Sequence, residues 1–359
     1  MKRIITLLFL LLVLVGAAAA WMFYSRLQQP YRGFAGTEQF VEIPPGAGSR
    51  AIGDRLVDAG VIRDRLTFRA SLWLTRQARH LKAGEYRFDR AVTPADVIDK
   101  LARGDVFVIH LTFPEGLTVF DMAKLFESHG FGPASAFVQA AMDVAPIKDL
   151  DPQAKTLEGY LFPQTYALPR KTDGPKLVRM MVAQFQHALN PELRTAARAR
   201  NLTIRELVTL ASIVEKETGK PEERPLVASV VYNRLRIGMQ LQVDPTVIYA
   251  LELRGGYDGN IHKGDLSIES PYNTYRYPGL PPGPIASPGS ASLEATVHPA
   301  DADFLYFVSR NDGSHVFART LDEHNRNVQK YQVLPFRASR SGGPGRSGGS
   351  GGSNGTGRR

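Results

Sequence analysis

The chain contains no cysteine, so disulfides, thiolate metal sites and thiol nucleophiles are excluded. Its eight histidines form neither an HExxH pair nor a tight cluster, and no metal site or other cofactor is expected. It also lacks a basic face. Of the net charge of +9, five arginines belong to the acid-free stretch 337–359 (Arg337, Arg340, Arg346, Arg358, Arg359), and Lys2 and Arg3 add two more. The body between is left near +2, which argues against a nucleic-acid partner. With 43% hydrophobic residues, the 359-residue chain is not disordered over most of its length and can bury a sizeable core.

Its clearest feature is the N-terminus. Lys2 and Arg3 precede an uncharged run of 21 residues from Ile4 to Tyr24. As a helix this run is about 31 Å long, enough to cross the hydrocarbon core of a bilayer. The positive-inside rule places residues 1–3 in the cytoplasm and the body outside, in the periplasmic or extracytoplasmic space. Trp21, Phe23 and Tyr24 occupy the level of an interfacial aromatic belt. Ala17–Ala20 offers a signal-peptidase site, but the run exceeds the usual apolar length of a signal peptide, which favours an uncleaved single-pass anchor in the inner membrane.

Residues 25–37 read as a linker. From 38 to 113, short alternating segments (Phe40–Ile43, Gly84–Phe88, Val106–Phe113) flank helical patterns at 52–57, 66–74 and 93–101, which predicts a small α+β module. A mixed α+β domain follows from 114 to 336. The Gly/Ser/Arg-rich stretch 337–359 has the composition of a disordered tail.

The most informative segment starts at Asn201. Thr203 and Glu206 make a capping box, Leu202 and Leu207 a hydrophobic staple, and Gly219 with Pro221 a stop, so a helix is predicted from Ile204 to Thr218. At 100° per residue, Leu207, Leu210, Ala211 and Val214 form one apolar stripe with Ile213 at its edge. Glu217 flanks that stripe, Glu215 projects from the other side, and Lys216 points to solvent. Partial burial and the negative end of the helix dipole both favour a protonated Glu217. Such an acid suits glycosidic cleavage, in which the leaving oxygen must receive a proton. The competing reading is an ion pair with Arg224 or Arg234.

Leu226–Leu235 reads as a second helix, Leu241–Val243 as a short strand with Gln242 facing a groove, and Asp244-Pro245 as the capped start of a helix over Thr246–Leu251. For Asp244, capping is favoured over catalysis. The long loop 255–290 carries Tyr272, Asn273 and Tyr275, side chains suited to sugars, though a proline-stiffened surface loop would read the same. Phe304–Val308 and His315–Ala318 predict a hairpin, and Thr320 with Glu323 caps a last helix. His298, His315 and His324 are read as structural or groove-lining.

These segments carry a resemblance. Leu210–Thr218 (LASIVEKET), Asn233–Met239, Leu241–Tyr249, Tyr272–Tyr275, Gly279–Gly283 and Glu158–Tyr166 resemble, in order and spacing, the endolytic murein transglycosylases of the MltG (YceG-like) family. The likeness runs from the apolar N-terminus to about Leu334. It implies a bitopic inner-membrane protein with a LysM-like module ahead of the catalytic domain, acting on nascent peptidoglycan glycan strands, with cell-wall synthases as further partners. It also implies a catalytic glutamate at Glu217, the residue that the helical face selects. Glu158, Tyr232, Asn233, Gln242, Asp244, Thr246, Tyr272, Asn273 and Tyr275 are expected along the bound strand. Two other readings stay open: a hydrolase using Asp244, Glu215 or Glu158 as second carboxylate, and a non-catalytic glycan-binding scaffold.

Overall fold

The computed structural model describes residues 2–335, so the tail 337–359 and the last residue of the domain bounded at 336 lie outside the described residues. The chain forms two compact units, divided after Leu111; Tyr166–Lys171 belongs to the first and the remainder after Leu111 to the second.

The first unit begins with α1 (Lys2–Gln28), whose apolar side chains are exposed along most of its length. It is the one helix among the described residues long and apolar enough to cross a membrane. The helix continues into the stretch read as linker, and Leu27 is buried against the body of the unit. Beyond it, Tyr31 makes a β-bridge with Val92. The body contains β1 (Gln39–Ile43), α2 (Ser49–Asp58), α3 (Arg65–Thr75), β2 (Gly84–Phe88) and α4 (Pro94–Arg103). β1 and β2 pair antiparallel with Val41 opposite Tyr86, so the inward side chains of both strands meet α2, α3 and α4. Val41, Ile43, Leu56, Phe68, Tyr86, Phe88, Ile98 and Leu101 form this core. Asp64 accepts from the N–H of Thr67 to start α3, and Thr93 with Asp96 forms a capping box on α4. Strand β3 (Ile109–Thr112) pairs with β4 (Thr165–Leu168). It starts later than expected because the Phe107 N–H bonds instead to the carbonyl of Glu85, at 2.7 Å.

The second unit is mainly helical: α5 (Val119–Ser128), α6 (Ala134–Ala141), α7 (Gly174–Ala188), α8 (Pro191–Ala199), α9 (Ile204–Glu217), α10 (Arg224–Arg236), α11 (Asp244–Leu253), α12 (Ser290–Val297) and α13 (Leu321–Val328), with a hairpin of β5 (Tyr306–Ser309) and β6 (His315–Ala318). α9 is its central element, packed by α8, α10, α11 and α12. Every residue from Leu207 to Val214 is buried. This corrects the expectation of a single apolar stripe, because a helix enclosed by four others has no solvent face in its middle turns. The two polar residues caught there, Thr209 and Ser212, are joined: the Ser212 hydroxyl donates to the Thr209 carbonyl (2.7 Å) and accepts the Ile285 N–H (3.1 Å).

Candidate active site at the end of α9

α9 starts at the expected capping box, with the Thr203 and Glu206 side chains and backbones bonded reciprocally. It ends at Glu217. Thr218 turns to extended backbone (φ −145°), and its hydroxyl donates to Glu223 at 3.0 Å. Glu223 also accepts the His315 backbone N–H (2.8 Å) and meets the His315 ring at Nδ1 (2.7 Å). The helix end is thereby fastened to the β5–β6 hairpin.

Glu217 is half-buried. Its carboxyl pKa is pushed up to about 7, first by burial and next by the negative charge of Asp244, while Arg234 acts against the shift. Its position at the carbonyl end of a helix acts in the same sense as burial. Both arginines named as possible ion-pair partners are otherwise engaged. Arg224 pairs with Glu215 (3.3 Å) and Glu115 (3.5 Å). Arg234 donates to the carbonyls of Leu305 and Leu241, each at 2.6 Å. Among the described residues no ion pair reaches Glu217.

Asp244 opens α11 without capping it; its carboxylate accepts the hydroxyl of Tyr275 at 2.5 Å. The capping reading of Asp244 is therefore replaced by a Tyr275–Asp244 pair beside Glu217. Burial and this bond push the Tyr275 phenol up, and the Glu217 charge adds to the shift. The arrangement joins a carboxyl able to hold a proton near neutral pH, an ionisable neighbour that keeps it there, and an arginine fixed by backbone carbonyls. Such a group can give a proton to a leaving oxygen and later take one back.

The YceG-like family model matches residues 41–330. The chain is a member of the YceG-like family. A *Bacillus subtilis* relative named "Endolytic murein transglycosylase" is 31% identical over 328 residues, covering 87% of this chain and 90% of the relative. A *Streptococcus pneumoniae* protein of the same name is 32% identical over 325 residues, covering 81% of this chain but 58% of the relative. The chain thus spans little more than half the length of the pneumococcal protein. The crystal structure of a putative YceG-like protein from *Listeria monocytogenes* aligns with a TM-score of 0.56 at 31% identity, over 82% of this chain and all of that one.

In this YceG-like chain the residues expected along a glycan strand separate into three groups. Asp244, Gln242 and Tyr275 stand at the surface or half-buried. Gln242 is exposed with φ 50°, and this left-handed turn breaks the strand expected over 241–243, while Leu241 and Val243 stay buried. Four others are committed to internal bonds. Tyr232 donates to the Thr296 carbonyl (2.9 Å), Asn233 to those of Ala302 (2.7 Å) and Phe304 (3.0 Å), and Asn273 to those of Leu266 (3.0 Å) and Ile268 (2.8 Å). Thr246, fully buried, bonds Thr274 at 2.9 Å. Through these bonds the four hold the loops around the site.

Glu158 and Tyr272 form the third group. They line a cavity of about 450 Å³ with Asp151, Tyr160, Arg205 and Tyr249. Glu158 is buried, accepts the Val119 N–H at 3.1 Å, and has its pKa pushed up to about 8 by burial. Sequence reasoning passed over Arg205, Asp151 and Tyr160, where Arg205 and the Tyr160 hydroxyl (2.7 Å) share the Asp151 carboxylate. It named Arg234 only as an ion-pair partner and missed its role as a fixed cation. No local spacing marks these residues: Arg205 meets Asp151 across 54 positions and Arg234 meets Leu305 across 71, and the nearer pairs, Tyr160 with Asp151 and Arg234 with Leu241, do not lie within one helix or strand.

Proposed function

We propose that this chain is a lytic transglycosylase that cuts within nascent peptidoglycan strands. Glu217, protonated, donates to the oxygen of the β-1,4 bond between MurNAc and GlcNAc as the C1–O bond breaks. It then accepts the proton of the MurNAc C6 hydroxyl, whose oxygen attacks C1 and closes a 1,6-anhydro ring. The nucleophile comes from the substrate, so one carboxyl group serves as acid and then base, unlike the usual pair of hydrolytic carboxylates. The observation that carries this reading is a Glu217 carboxyl with no ion-pair partner among the described residues and a pKa pushed up to about 7. Membership of a family with relatives named endolytic murein transglycosylase supports it.

α1 would anchor the enzyme in the inner membrane with residues 1–3 cytoplasmic and the body beyond α1 outside, near the site of strand synthesis. That location suits a cut that terminates strand elongation and contact with wall synthases. The order β1–α2–α3–β2, with the two strands paired antiparallel, supports a LysM-like role in holding glycan.

The test is mass spectrometry of uncrosslinked glycan treated with the full-length protein. Anhydro-MurNAc ends should accumulate with wild type and fall by roughly 100-fold or more with Glu217→Gln, the range for a lost general acid. Reducing MurNAc ends carrying oxygen from heavy-oxygen water would assign hydrolysis instead, with Asp244, whose charge acts on Glu217, as a candidate second carboxylate. Unchanged glycan with wild type would leave only a scaffold.

A further inference from the structure

Unit one carries an outward face that its own core does not use. On α3, Thr67, Phe68, Ser71 and Leu72 are buried, while Leu66 (64% exposed), Trp73 (79%) and Leu74 (55%) face solvent. At about 100° per residue, Leu66, Ala70, Trp73 and Leu74 form one apolar arc with Arg65 and Arg69 beside it; Arg65 pairs with Asp54, and Arg76 follows as the left-handed cap of the helix (φ 55°). The surrounding sequence is one-sided in charge: from Arg63 to Lys82 there are six Lys or Arg and one acid, Asp64. Beside Trp73 a shallow depression of about 660 Å³ is edged by Arg76, Arg79 and His80. Exposed apolar side chains flanked by arginines are the composition of a helix lying in a lipid headgroup layer.

The position of α3 relative to α1 selects the partner. Tyr24 ends the apolar run of α1, and Gln29 follows five residues later, at most about 8 Å along a helix axis. Gln29 accepts from the Arg63 guanidinium at 3.5 Å, and Arg63 also lies 5.1 Å over the Tyr31 ring. Leu27, at the end of α1, is buried in the same unit. These contacts tie the start of α3 to the end of α1, and α3 packs directly against α1, so it stands beside the point where α1 leaves the hydrocarbon. A helix of 11 residues spans only ~16 Å, short enough to lie along the headgroup region beside α1.

We propose that the outer face of α3 docks on the anionic surface of the membrane that α1 crosses, with Trp73, Leu66 and Leu74 at the acyl boundary and Arg69 and Arg76 among phosphate groups. The partner is an anionic phospholipid bilayer. The first unit is then laid against the membrane by two attachments, not hung from one. The proposal rests on α1 spanning the membrane, and not on the chemistry of Glu217.

The chain has two tryptophans, Trp21 in α1 and Trp73 in α3, so each can be read separately in the full-length protein. In Trp21→Phe, reconstituted in phosphatidylglycerol/phosphatidylethanolamine vesicles, Trp73 emission should move to shorter wavelength and be quenched by brominated acyl chains. The quenching should fall in pure phosphatidylcholine, in 1 M salt, where the screening length is about 3 Å, and in Arg69→Glu/Arg76→Glu. A Trp73 that stays open to iodide and untouched by brominated lipid overturns the proposal. So does a Trp73 shielded by soluble glycan without lipid, or by raising the protein-to-lipid ratio, which would assign a sugar or a second copy to this face. Trp73→Phe supplies the control: an unquenched Trp21 would mean that α1 is not inserted, and both readings then fall.

Discussion

A carboxyl group that keeps its proton near pH 7 needs a reason, and Glu217 has three. It is withdrawn from water, it stands at the carbonyl end of α9, and Asp244 adds a second negative charge. Asp244 is the part that can be changed alone. Replacing it with Asn removes the charge that disfavours ionisation, so the pKa of Glu217 falls. In the proposed mechanism kcat/KM declines as pH rises through the pKa of the acid. Asp244→Asn should therefore move that decline to lower pH, with loss of rate at neutral pH and retention of activity in acid. A pH profile with the decline unmoved would show that the two carboxylates do not sense one another. Arg234 works in the opposite direction, and its fixed bonds to the Leu241 and Leu305 carbonyls keep it from quenching Glu217 as an ion pair.

At the scale of the element, α9 brings Glu217 to its place through two different kinds of force. The capping box satisfies backbone N–H groups in the first turn, and such a cap contributes about 1 kcal/mol. The middle turns contribute side-chain burial, and a Leu→Ala cut in a closed core costs about 2–5 kcal/mol. Denaturant unfolding should accordingly rank Leu210→Ala well above Thr203→Ala in loss of stability. Equal losses would mean that the enclosure of α9 by its four neighbours contributes little. The far end depends on neither: Thr218, Glu223 and His315 tie the last turn to the hairpin by side-chain bonds.

At the scale of the whole molecule, the second unit stores a buried acid unrelated to the helix end. Glu158 has a folded-state pKa of about 8 against an ordinary 4.5. The folded chain therefore keeps a proton that the unfolded chain releases. Its contribution to stability is complete below about 4.5 and is lost as pH rises toward 8. Glu217, raised to about 7, slopes the same way. Thermal unfolding of wild type should thus show stability declining between mildly acidic pH and pH 8. Glu158→Gln, which keeps the bond from the Val119 N–H, should flatten that decline; an unchanged slope would mean that Glu158 is ionised in the fold.

Local chemistry by itself determined the apolar N-terminal helix, the bounds of α9 to within a residue and the β5–β6 hairpin, because each rests on neighbours a few positions apart: caps, period and turn residues. Tertiary structure decided the rest. Only packing could reveal that α9 is enclosed on all sides, that Asp244 faces Tyr275 instead of capping, and that Tyr232, Asn233, Thr246 and Asn273 brace loops. Only packing joined Asp151 to Arg205 and Arg234 to Leu305. A side chain's orientation and its partner depend on which distant backbone arrives beside it, and periodicity along one segment does not record that.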